Sequence, residues 1–144
     1  MKKLTVIVIS ILSFTSCNRH CKEDSEFHEI YFKMLDTIAS YDELFDTDEE
    51  IPTPLLWERS ENIHNYEAYL EYLTQHEFRN IEVEHLPIYR NKSDFEADMK
   101  DLKKWHKENK CGMTIEKADS IVNASYERAT GRKDSMWRNI EIPR

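Results

Sequence analysis

The chain has 144 residues, with 28 acidic and 20 basic side chains and a formal net charge of −8. An acidic chain is repelled by phosphate backbones, which argues against nucleic acid as a partner. The chain holds only two glycines, so the glycine-rich loops that cradle nucleotide phosphates are excluded.

The first sixteen residues have the pattern of a secretory signal peptide. Lys2 and Lys3 precede an apolar run over residues 4–12, and small residues follow up to Ser16. A positive start, an apolar run of about 7–15 residues and a small-residue cleavage region define such a signal. The run is shorter than the roughly 20 residues that cross a bilayer as a helix. We therefore predict a cleaved signal at residues 1–16 rather than a permanent membrane span.

The end of this segment, Phe14-Thr15-Ser16-Cys17, resembles the lipobox of bacterial lipoproteins. In that family the cysteine thiol receives a diacylglycerol, and the peptide bond before the cysteine is then cut. The resemblance implies that acylated Cys17 is the first residue of the mature protein and its membrane anchor, with palmitate among the acyl chains. Phe14 and Ser16 depart from the usual lipobox in the manner of looser Bacteroidota examples. An ordinary cleaved signal with an incidental cysteine is the alternative.

Residues 17–24 are predicted to be a tether between the anchor and the domain. Asn18 follows the cysteine, so the aspartate that retains lipoproteins in the inner membrane is absent. Lys22-Glu23-Asp24 resembles the short charged signal of Bacteroidota surface lipoproteins, with a solvated linker as the alternative. We predict a lipid-anchored protein of the cell outer membrane, and the sequence leaves the leaflet and the facing side open.

Removal of the signal changes the charge and the use of the cysteines. Without Lys2 and Lys3, 18 basic and 28 acidic residues remain, which is a net charge of −10 over 128 residues. That length suits one domain, and the acidity favours solubility and basic partners. If lipid occupies Cys17, Cys21 and Cys111 are left for a disulfide, which the oxidising envelope permits. Such a bridge would fasten the tether to the domain.

The predicted domain begins with a long amphipathic helix. Apolar residues recur at spacings of three and four from Ser25 to Phe45, which predicts one buried helical face, with Ser25 as the cap. The acidic segment at 46–50 indicates a loop. Thr53-Pro54 then predicts a helix start, followed by a short helical turn over residues 55–59.

A second helix is predicted from Glu61 to His76. Tyr69 and Tyr72 widen its apolar arc beyond what a surface helix needs. Either the helix is central and packs on two sides, or these tyrosines face a partner. Together with Trp57 they are candidates for a partner or ligand surface, with core packing as the alternative.

The following residues change character. Ile81 to His85 alternate between apolar and polar, as in a short strand, but Pro87 interrupts the pattern and no second strand is evident. We therefore expect an extended loop across the domain.

Two further helices are predicted after this loop. Ser93-Asp94-Phe95-Glu96 is a capping box that predicts the start of a third helix, and Gly112 is placed to end it. Thr114 is the predicted cap of a fourth helix, which Gly131 terminates. The segment from Trp105 to Ile121 is similar to part of small, uncharacterised Bacteroidota envelope lipoproteins, a resemblance that implies no particular activity.

These patterns predict a single all-α domain of about four helices at residues 25–144. No catalytic residue, metal site or cofactor is expected, since zinc-ligand spacings and a nucleophile elbow are missing from the sequence. We predict a non-catalytic envelope lipoprotein that engages another envelope protein or acts as an accessory module. The alternatives are a glycan or small-ligand binding lipoprotein, an inhibitor or immunity-type lipoprotein that blocks a basic toxin, and a hydrolase with an unrecognised site.

Overall fold

A computed structural model describes residues 22–42 and 53–133, with side chains described from residue 59 onward in the second range. Cys17, Cys21, the end of the first predicted helix after Asp42, and the C-terminal segment from residue 134 lie outside the described residues. The described chain is mainly helical, with one small two-stranded sheet, which confirms the predicted all-α class. In chain order the elements are α1 (Ser25–Asp42), α2 (Thr53–Thr74), β1 (Ile81–Val83), β2 (Leu86–Ile88), α3 (Lys92–Asn109) and α4 (Ile115–Thr130).

Helix α2 is the centre of the domain, because it packs against α1, α4 and strand β2. Helix α1 in turn packs on α3, where the buried Tyr31 hydroxyl donates a hydrogen bond to the Leu102 carbonyl at 3.0 Å. The Tyr31 ring also stacks on Trp105. Helix α1 buries one face against α2 and α3, which explains the apolar spacing of its sequence. All seven of its buried residues belong to the apolar face predicted from that spacing: Phe27, Ile30, Tyr31, Met34, Leu35, Ile38 and Tyr41.

The second predicted helix begins earlier than expected. Helix α2 starts at Thr53, where Thr53-Pro54 predicted a start, but it runs unbroken to Thr74 instead of forming a separate turn at 55–59. Ser60, at the expected break, is buried inside the continuous helix. No helix in the described part of the chain combines the length and the apolarity that a membrane span requires.

Helix caps in the structure agree only in part with the predicted ones. Thr114 caps α4 by accepting a hydrogen bond from the Lys117 amide, and Gly131 ends that helix in the left-handed conformation, as predicted. For α1 the cap is Asp24, whose carboxylate accepts from the Phe27 amide, rather than Ser25. For α3 the cap is Asn91, which accepts from the Asp94 amide. The capping box predicted at Ser93 is therefore wrong.

The predicted extended loop is a β-hairpin. Strands β1 and β2 pair antiparallel, with Glu82 opposite Pro87 and Val83 opposite Leu86. Glu84 and His85 form the two-residue turn and both have positive φ, as a turn that matches the strand twist requires. Opposed residues of an antiparallel pair alternate between hydrogen-bonded and non-hydrogen-bonded pairs, and the two-residue turn puts Pro87 in a non-hydrogen-bonded pair. Because no amide donor is needed at such a position, Pro87 does not interrupt the pairing.

Candidate functional site

An open groove of about 740 Å³ lies between the C-terminal ends of α2 and α4. This volume falls in the range of ligand-binding clefts, but the groove is wide open to solvent. Most of the residues that line it are polar. Its walls are formed by the last turn of α2 and the residues after it, and by the last turns of α4: Glu71, Tyr72, Gln75, His76, Glu77, Ser125, Arg128 and Ala129.

Local contacts at the end of α2 position the groove. Gln75 adopts φ 60° just after the helix, where its amide bonds back to the Glu71 carbonyl at 2.8 Å. Its side-chain amide donates to the Tyr72 carbonyl and reaches Ser125 Oγ at 3.4 Å, so it spans the two helices. Tyr72 packs edge-on against Tyr126 of α4 at 5.6 Å between ring centroids. These contacts fix the spacing of the two walls.

The groove is acidic. Two carboxylates, of Glu71 and Glu77, and one guanidinium, of Arg128, are among the groups that line it. Burial raises the pKa of Glu71, the hydrogen bond from the Phe78 amide opposes that rise, and the neighbouring Glu77 carboxylate adds to it. A partner that brings positive charge would relieve this repulsion, so the groove favours cations over anions.

Asp98 of α3 holds the segment that follows α2. Its carboxylate is fully buried, with 0 % side-chain exposure, and accepts from the Arg79 amide at 2.8 Å and from His76 Nε2 at 3.0 Å. The Arg79 guanidinium pairs with the same carboxylate and with exposed Asp101. Because His76 lines the groove, Asp98 fixes part of its wall from inside the domain.

Glu67 of α2 is a second buried acid near this network. Asn80 donates to its Oε1 at 2.6 Å. Burial raises the pKa of Glu67 to about 7, the hydrogen bond from Asn80 partly opposes the rise, and the carboxylates of Glu71 and Asp98 add to it. Burial, together with the carboxylates of Asp98 and Glu67, also raises the pKa of Tyr89 well above its usual range.

The three residues predicted to form a partner or ligand surface, Tyr69, Tyr72 and Trp57, differ in their positions in the structure. Tyr69 is only 2 % exposed and donates to Asp119 of α4, so it belongs to the core and not to a partner surface. This burial follows from the central position of α2, the other interpretation that the sequence allowed. Tyr72 is half-buried and lines the groove. Trp57 lies in α2, but its side chain is not among those described.

Cys111 is disulfide-bonded in the structure. The other two cysteines of the chain lie outside the described residues, so the Cys21–Cys111 pairing stays a prediction. Glu23, which follows Cys21 by two residues in the sequence, forms an isolated antiparallel bridge with Cys111. Glu23 and Asp24, assigned to the tether from the sequence, thus contact the helical domain.

A cluster of Glu23, His28 and His106 was not predicted from the sequence. One donor atom of each lies within 4.8 Å of the others. Glu23 and His28 are close in the chain, but His106 comes from α3 and meets them only in the folded domain. The prediction that the chain has no metal site rested on the absence of known zinc-ligand spacings. Such spacings do not cover residues that come together only in the folded domain.

Comparison with profiles of known protein families, with curated proteins and with solved structures gave no match.

Proposed function

We propose that this protein is a lipid-anchored accessory module of a bacterial envelope that binds a basic segment of another envelope protein in the α2–α4 groove. The observation that carries the proposal is the groove itself, whose lining among the described residues includes the carboxylates of Glu71 and Glu77 and one guanidinium, that of Arg128. The excess of negative charge in the whole chain supports a positively charged partner.

The shape of the groove favours a polypeptide segment over a small molecule. Tight sites for small ligands bury about 70–90 % of the ligand surface. This groove is open to solvent, and the half-buried Tyr72 ring is an apolar group among its polar lining residues. Arginine and lysine side chains pack well on such a ring while their charged ends reach carboxylates. A basic segment would therefore use both parts of the wall.

Binding of synthetic peptides tests this groove. We expect fluorescently labelled peptides rich in Arg and Lys to bind more tightly than charge-reversed peptides of the same length. The variant Glu77→Lys should weaken binding at least about tenfold, which is about 1.4 kcal/mol, since it replaces an attraction in the groove with a repulsion. Arg128→Glu should strengthen binding. Fluorescence anisotropy at two salt concentrations measures both effects.

The matched control is Glu108→Lys, an equal charge reversal at an exposed position of α3. Equal losses of peptide affinity in the Glu77 and Glu108 variants would mean that binding depends only on the net charge of the protein. That result would refute a binding site in the groove. Binding that appears only in a chain shortened after Lys133 would assign the groove to the C-terminal segment of the protein itself, and would also refute the proposal.

The anchor has its own test. We expect labelled palmitate to enter the protein in growing cells, and Cys17→Ser to abolish the label, because no other residue of the lipobox offers a thiol. Cys21→Ser is the matched control and should keep the label. Labelling that persists in the Cys17 variant would contradict the predicted anchor and, with it, the envelope location.

A further inference from the structure

The cluster of Glu23, His28 and His106 joins three parts of the domain around one carboxylate oxygen. His28 Nδ1, from the first turn of α1, lies 2.6 Å from Glu23 Oε1. His106 Nε2, from the last turn of α3, lies 3.3 Å from the same oxygen. Glu23 itself precedes α1, where its backbone pairs with Cys111. Two imidazole nitrogens therefore converge on a carboxylate from different helices.

His106 is the unusual member of this cluster. Its side chain is only 4 % exposed, yet its Nε2 makes no hydrogen bond with good geometry to any group of the described residues. A buried polar atom without a hydrogen bond is costly, and such atoms in folded proteins call for an explanation. The ring is held by Phe27, Tyr31 and Phe32, whose centroids lie within 5.8 Å of its own. The imidazole is thus fixed with its Nε2 directed toward Glu23.

We propose that Glu23, His28 and His106 bind a divalent transition-metal ion, for which Zn²⁺ is the best fit. Two imidazoles and one carboxylate are a ligand set that zinc uses, whereas Mg²⁺ and Ca²⁺ prefer oxygen ligands throughout. Three protein ligands leave the fourth position of a tetrahedral zinc site for water or another donor. This inference concerns a site separate from the groove, and it does not rest on the proposed function.

The distances within the cluster are close to those between the ligands of a bound ion. Tetrahedral ligands at roughly 2.0–2.1 Å from zinc lie about 3.3–3.4 Å from one another. His106 Nε2 is already 3.3 Å from Glu23 Oε1, and one donor atom of each of the three residues lies within 4.8 Å of the others. His28 Nδ1 would have to move less than about 1 Å away from the carboxylate oxygen, and up to about 1.5 Å toward His106, to reach the tetrahedral spacing. The His28 ring contacts Phe32 and His106, but its side chain is 48 % exposed and can turn on its solvent side.

The surroundings of the cluster suit metal binding. Lys110 Nζ lies 2.7 Å from Glu23 Oε2, so it orients the carboxylate through one oxygen and leaves Oε1 directed at the histidines. Carboxylates that bind metals typically accept such a hydrogen bond through their other oxygen. The hydrogen bond from Lys110 lowers the pKa of Glu23, and burial lowers the pKa of His106. Both directions favour the forms that bind metals, an ionised carboxylate and a neutral imidazole.

Titration of the purified full-length mature protein with Zn²⁺, prepared without a histidine tag, tests the site. We expect one equivalent of Zn²⁺ to bind by isothermal titration calorimetry. Glu23→Gln and His28→Ala should each lower the affinity more than about 10–100-fold, the loss typical of supporting residues alone. Both positions are at least partly exposed, so these variants should fold. In ¹⁵N spectra of the imidazoles, Zn²⁺ should shift His28 Nδ1 and His106 Nε2.

The matched control is His85→Ala. His85 pairs with Glu82 at 3.0 Å on the exposed hairpin, so it reproduces a histidine–carboxylate pair outside the three-residue cluster. This variant should keep the wild-type affinity. Failure to bind one equivalent of Zn²⁺, unchanged affinity in the Glu23 and His28 variants, or imidazole shifts confined to other histidines would overturn the proposal. In that case the cluster is an ion-pair network that only fastens Glu23 to the domain.

Discussion

Replacing Asp98 with alanine is expected to lower the free energy of unfolding by about 3 kcal/mol. Asp98 is fully buried and accepts hydrogen bonds from the Arg79 amide and from His76 Nε2. A hydrogen bond to a charged group contributes about 1.5–3 kcal/mol, and a donor left without a partner adds its desolvation cost. Urea denaturation followed by circular dichroism measures the change.

Asp101→Ala is the matched control for this prediction. Asp101 lies on the same helix and pairs with the same arginine, at 3.1 Å from Arg79 Nη2, but its side chain is 47 % exposed. Exposed ion pairs contribute little, so this variant should change stability by less than about 0.5 kcal/mol. Similar losses in the two variants would show that the guanidinium contact is decisive and that the buried hydrogen bonds of Asp98 are not.

Replacing Glu67 with glutamine is expected to stabilise the domain at high pH and not at low pH. In the folded protein burial raises the pKa of Glu67 from 4.5 to about 7. Between these two values the folded chain holds a proton that the unfolded chain releases, so this carboxyl makes stability fall as pH rises. The shift is equivalent to about 3 kcal/mol, which is lost in full once the pH exceeds the folded pKa.

The measurement is the difference in unfolding free energy between Glu67→Gln and the wild type, taken at pH 4 and again at pH 8.5. We expect this difference to increase by about 3 kcal/mol in favour of the variant, because glutamine keeps the acceptor for Asn80 and cannot ionise. Any pH-independent effect of the substitution cancels in the comparison. Glu61→Gln, at an exposed position of α2, should show no such increase. A pH-independent difference for Glu67→Gln would refute the assignment of this acid.

These two acids connect the stability of the domain to the proposed groove. Asp98 and Glu67 accept hydrogen bonds from Arg79 and Asn80, two consecutive residues between α2 and the hairpin. The same stretch of chain carries His76 and Glu77, which line the groove. We infer that the buried carboxylates maintain the shape of this wall. The ionisation of Glu67 above neutral pH lowers the free energy of unfolding of the same domain.

The amino-acid sequence by itself determined the helical class of the domain and the position of its most regular helices. Apolar spacing over Ser25–Asp42 and the cap and terminator of α4, Thr114 and Gly131, depend on contacts three or four residues apart. Such contacts are encoded locally, so reading the chain in short windows is enough to find them. The same reasoning named Tyr72, which the structure places in the groove.

The tertiary structure alone decided the features that join distant parts of the chain. Ser60 lies within the continuous helix α2 and is buried there, although the sequence predicted a break at this position. Residues Leu86–Ile88 form strand β2 because β1 pairs with them. The partners of the buried acids are equally hidden from a local pattern, since Asp98 accepts hydrogen bonds from His76 and Arg79, which lie 22 and 19 residues earlier in the chain. Glu23 and Lys110, which meet beside the two histidines, are 87 residues apart. The energy of such contacts depends on burial and packing, and these exist only once the helices have assembled.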